Sequence, residues 1–73
     1  MKARIRLDTY TDCNRFISKV NSVDVPVYFT NGKDYKISAK SMLGAMLATA
    51  EWDEIYCECE RDIFSVISEF LAE

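Results

Sequence analysis

The chain of 73 residues has no histidine, one proline, two glycines and three cysteines. Each scarcity removes a kind of chemistry. Without histidine there is no Ser/His/Asp set, and a zinc site built on the cysteines would need a carboxylate, which is rare in structural sites. Two glycines leave no Gly-rich phosphate loop. An odd cysteine count leaves no closed disulfide framework, so Cys13, Cys57 and Cys59 read as small core hydrophobes. No apolar run approaches the ~18 residues of a membrane span. The net charge of -3 offers no clustered basic face for nucleic acid. The expectation is a non-enzyme with no catalytic residues, no metal and no cofactor.

The length fits one domain, residues 1–73. An apolar share of 49% is that of a globular domain, and the charged residues, 29%, are spread along the chain rather than massed as in disordered segments. The start, Met1-Lys2-Ala3-Arg4, leads into alternation rather than into the apolar core of a signal peptide, so a cytoplasmic location is expected.

Residues 2–7 alternate, with Ala3, Ile5 and Leu7 on one side and Lys2, Arg4 and Arg6 on the other, which predicts a half-buried strand. Thr11 or Asp12 is placed to cap a helix whose stripe is Cys13, Phe16, Ile17 and Val20. Val23, Val25, Val27 and Phe29 alternate in a second strand, where Pro26 demands an unpaired position. Asn31-Gly32 predicts a type I′ hairpin turn, and 35–37 the return strand. A helix is expected over about 40–51, capped by Ser38 or Ser41. Ile55, Cys57 and Cys59 then alternate inward on a fourth strand. Ile63, Val66, Ile67, Phe70 and Leu71 stripe a last helix over about 61–71.

The order is β-α-β-β-α-β-α. Four amphipathic strands need a cover for their apolar face, and three helices are available. The fold class is therefore α+β, an open-faced sandwich. Arg4 and Arg6 outside the first strand match Glu54 and Glu58 outside the fourth, which fits these strands as neighbours.

The second helix offers Met42, Leu43, Met46 and Leu47 over a wide arc. Two readings fit: a fully buried helix, or one whose arc is partly exposed as a partner surface. Methionines suit the latter because they are flexible and polarizable. Ser41, beside Lys40, is either an ordinary N-cap or a phosphorylation site favoured by the helix dipole.

Lys40-Ser41-Met42-Leu43-Gly44-Ala45-Met46 resembles the stretch Lys-Ser-Ile-Met-Gly-Val-Met that opens the second helix of HPr, the phosphocarrier family of the bacterial sugar phosphotransferase system. Ser18-Lys19-Val20-Asn21-Ser22 is similar to the end of that family's first helix, and Asn31-Gly32-Lys33 to its hairpin turn. The resemblance covers residues 16–47 by motif and the whole chain by element order. It implies a four-stranded antiparallel sheet covered on one face by three helices, with the first and fourth strands adjacent. It also implies that Ser41 sits at the family's regulatory serine, and that Met42, Leu43 and Met46 lie in its docking patch.

The family carries its phosphohistidine in a Gly-x-His-Ala-Arg-Pro pattern. Here that region reads Asp8-Thr9-Tyr10-Thr11-Asp12-Cys13-Asn14-Arg15, leaving Arg15 as a phosphate-side remnant and no residue for the histidine relay. The expected protein is a small bacterial, non-catalytic regulatory or docking domain related to the phosphotransferase system. Its partner, a kinase or a transcriptional regulator, would bind at Lys40, Met42, Leu43, Met46 and Leu47. The alternative is a serine switch at Ser41 read by a regulator.

Overall fold

A computed structural model describes residues 1–72. The strands are β1 (Lys2–Ile5), β2 (Val27–Thr30), β3 (Lys36–Ser38) and β4 (Ile55–Cys59). The helices are α1 (Tyr10–Val20), α2 (Met42–Glu51) and a short α3 (Phe64–Ile67), which continues as a 3₁₀ turn over Ser68–Phe70. The sheet order is β1-β4-β2-β3 and every neighbouring pair is antiparallel. The fold is the α+β open-faced sandwich expected from the strand alternation, with the first and fourth strands adjacent.

The core lies between the helices and one sheet face. Phe16 of α1 is fully buried at its centre, 5.4 Å from the Phe29 ring and 5.1 Å edge-on from that of Phe70. Ile55, Cys57 and Cys59 alternate inward on β4 as predicted. Desolvation pushes the Cys57 thiol up to about 12, so it stays protonated. The open face carries Tyr28 and Tyr56 under the ammonium groups of Lys36 and Lys2, at 5.5 Å and 5.3 Å. Arg4 meets Glu54 at 3.9 Å, but Arg6 turns to Asp8 and Glu58 to Lys36. The predicted charge ladder between the first and fourth strands is thus only partly formed.

Four local expectations are corrected. α1 begins two residues early, because Thr9 is its cap. The Thr9 hydroxyl accepts from the Asp12 N–H, and the Asp12 carboxylate accepts from the Thr9 N–H, a reciprocal box that needs Asp12 inside the helix.

The second strand starts at Val27 rather than Val23, after Pro26. The β2–β3 turn is not type I′, since only Gly32 has positive φ, at 83°. Thr30 pairs with Lys36, leaving five residues to turn, and the Asn31 side-chain oxygen accepts from the Lys33 N–H at 2.9 Å. A side chain at Gly32 would also meet the Tyr56 ring at 2.9 Å.

The fourth correction joins the two ends of the fold. β1 stops at Ile5 and the last helix at Ile67, because both flanks are used in a further pairing. Arg6 N–H donates to the Phe70 carbonyl at 2.8 Å and Ala72 N–H to the Arg4 carbonyl at 2.9 Å. Leu71 is thereby drawn out of the expected stripe into extended backbone, and is 38% exposed. The pairing covers the free edge of β1, a site otherwise open to another strand.

Candidate functional site

α2 is capped by Ser41, whose hydroxyl accepts from the Gly44 N–H at 3.2 Å. The side chains it turns to the core are its smallest: Gly44, Ala45 and Ala48. Gly44 lets the helix lie close against β3. A β-carbon there would stand 2.6 Å from Cγ2 of Ile37 and 2.8 Å from the Ser38 carbonyl oxygen. Such proximity fixes which face points out, and that face carries Leu43, Met46 and Leu47, exposed by 68%, 50% and 47%. With Ala50, also exposed, they stand at i, i+3, i+4 and i+7, one continuous stripe.

Of the five residues expected to bind a partner, Leu43, Met46 and Leu47 are brought together on this stripe. Met42 instead packs, half-buried, against the core. Lys40 is also half-buried, and its ammonium donates to the Val23 carbonyl. Two surface residues were missed. Tyr10, 66% exposed, lines a groove of about 380 Å³ together with Met46 and Ala50. Tyr10 stands before the cap expected at Thr11 or Asp12 and so fell outside the predicted helix, and Ala50 is too small to stand out. The signal available was the Thr9-x-x-Asp12 spacing of a capping box, which starts the helix at Tyr10.

Arg15 is engaged elsewhere. Its guanidinium pairs with Glu69 and lies 5.7 Å from the Phe70 ring. Lys19 holds the same carboxylate at 2.8 Å. The hydrogen bond from Lys19 is the main reason the Glu69 carboxyl is held below the ordinary value of 4.5, with Arg15 adding to it. The groove around Arg15 is lined by Arg6, Asp8, Asp12 and Glu69, with Arg6 paired to Asp8 and Arg15 to Glu69, so both guanidinium groups are already engaged by carboxylates. Cys13, at the start of α1, is buried, and desolvation followed by the charge of Asp12 raises its pKa, so it is a poor nucleophile.

Among the described residues, no group of three or more His, Cys, Asp or Glu is arranged to hold a metal ion, and no helix is long and apolar enough to cross a membrane. Comparison with family models, with curated proteins and with solved structures finds no significant match.

Proposed function

We propose that this chain is an HPr-like domain without phosphohistidine chemistry, which docks a protein partner through Leu43, Met46 and Leu47 of α2. The carrying observation is the reversed placement of side chains on that helix. Its small residues face the core and its large apolar ones face solvent. Exposed, contiguous apolar side chains mark contact surfaces. The partner class is a kinase or regulator of the phosphotransferase system, in keeping with the resemblance at residues 40–46.

Titration calorimetry with two purified proteins, the ATP-dependent kinase that acts on HPr and a transcriptional regulator that recognises HPr, tests this. Binding to one of them is expected, lost in Leu43→Asp/Leu47→Asp while circular dichroism stays native. Absence of binding to both, or equal binding by the variant, contradicts the proposal.

The cap position of Ser41 supports a second reading, a serine switch. A phosphoryl group on that hydroxyl would meet free N–H groups and the positive end of the α2 dipole. Incubation with ATP and the kinase should then add one phosphoryl group by intact-mass spectrometry, lost in Ser41→Ala. Modification that persists in Ser41→Ala ends that reading.

A further inference from the structure

We propose that the Met1 thioether is a redox-sensitive latch on the start of α3, oxidised to the sulfoxide by hydrogen peroxide or a similar small peroxide and restored by reduction. The inference is independent of the docking reading of α2.

Three observations meet at this side chain. The first is a hydrogen bond of long sequence reach. Ile63 is buried, 3% exposed, and its backbone N–H donates to the Met1 sulfur at 3.4 Å. A buried N–H needs an acceptor, and thioether sulfur is a weak one. Ile63 offers α3 no side-chain cap. The N–H groups of Val66 and Ile67 close the first turn on the Ile63 carbonyl, at 2.9 Å and 3.2 Å. The placement of Ile63 therefore sets where α3 begins.

The second is anchorage. The Met1 carbonyl accepts from the Cys59 N–H at 2.9 Å, and the Met1 side chain packs against the core. The third is access. Met1 is only half-buried and lines an open groove of about 330 Å³ with Pro26, Tyr28 and Glu60. This groove gives a small peroxide a route to the side chain, whereas all three cysteines are buried.

The step balances between the two reactants. A sulfur lone pair attacks one peroxide oxygen, and the O–O bond breaks as the S–O bond forms. The second oxygen leaves with both protons as water, so sulfur is oxidised and peroxide is reduced. The product is polar and chiral where the thioether was apolar. An oxygen on the lone pair facing Ile63 wedges between the sulfur and the N–H. An oxygen on the other lone pair sets a polar bond against the core. Either outcome loosens the start of α3. Met46, 50% exposed on α2, is a comparison within the same chain, since its oxidation touches no such contact.

Peroxide treatment of Met42→Leu/Met46→Leu tests the proposal, because Met1 is then the only methionine of the chain. These swaps nearly conserve volume, and circular dichroism confirms the fold. One added oxygen is expected, mapped to Met1 by peptide mass spectrometry. Hydrogen exchange at the Ile63, Val66 and Ile67 amides should quicken by about threefold or more, and by more than at the amides of β2. Methionine sulfoxide reductase should reverse the change. A Met1 that resists a peroxide concentration sufficient to oxidise Met46 in the wild type overturns the proposal. So does an oxidised Met1 with unchanged exchange at these three amides, a uniform rise at all amides, or a change that reduction does not reverse.

Discussion

α1 and α2 are nearly equal in length, eleven and ten residues, and pack against each other, yet they divide large and small side chains in opposite ways. α1 buries Cys13, Phe16, Ile17 and Val20 and turns Asn14, Arg15 and Lys19 outward. α2 buries only glycine and alanine in full and turns two leucines and a methionine outward. Burying a leucine or methionine side chain is worth about 1.5–3 kcal/mol. α2 leaves that gain largely unused at three positions. The cause is close contact: Gly44 brings the helix too near β3 for a large side chain to fit beneath it. α1 is thus a structural helix, and α2 a thin spacer that holds an apolar stripe away from the core.

This contrast can be broken most sharply at Phe16. Phe16→Ala removes the aromatic centre of the core and should cost about 3–5 kcal/mol, read from urea unfolding. In a domain of this size such a loss approaches the whole stability. Met46→Ala, at the outer face of α2, should stay within ~0.5 kcal/mol in the same assay. Equal losses would erase the distinction between the helices.

Gly44→Ala is the next test. Helix propensity alone would favour alanine by about 1 kcal/mol. The contacts with Ile37 and Ser38 should reverse the sign and give a net loss of about 1–3 kcal/mol. A gain in stability would show that α2 is free to move off the sheet.

The caps sharpen the comparison further. Thr9 has a reciprocal box with Asp12, whereas Ser41 makes a single bond to Gly44. Thr9→Ala should cost about 1 kcal/mol and Ser41→Ala less. Helicity and the unfolding midpoint check both.

The smallest expected effect is acid sensitivity. Among the described residues, only α1 is tied to the C-terminal turn by charge, through Lys19 and Arg15 to Glu69. The depressed folded value for Glu69 means that its contribution is complete above the ordinary glutamate value of 4.5 and drains as pH falls through the lower folded one. Glu69→Gln should flatten the stability–pH curve in that acid window and leave the neutral region nearly unchanged. The pair is partly exposed, so added salt should diminish the effect. An unaltered acid limb would show that this carboxylate is not linked to folding.

Periodicity made much of this legible. The stripe of α1 and the alternation of β4 follow from apolar spacing, and their buried residues are the expected ones. The element order and open sheet follow from the same patterns. Features set by backbone pairing across long sequence separations were not legible. The Phe70–Ala72 segment pairs with Arg4 and Arg6, which shortens both the first strand and the last helix, and no local pattern announces that choice. The turn at Asn31-Gly32 looked like a two-residue hairpin because register is not visible in the sequence. On α2 the apolar arc left burial and exposure equally open. What decides between them is Gly44 against Ile37 and Ser38, a tertiary contact. Lys40 and Met42 failed to join the exposed stripe for a related reason, since each has a partner in the body of the fold.

The central claim, that the large side chains of α2 belong to the surface, is tested most directly by urea unfolding of Leu43→Gln/Leu47→Gln beside wild type. The account predicts midpoints that agree to within about 1 kcal/mol of stability. A loss of about 4 kcal/mol or more, the scale of emptying two core positions, would mean that the stripe is part of the core, and the docking surface would not exist.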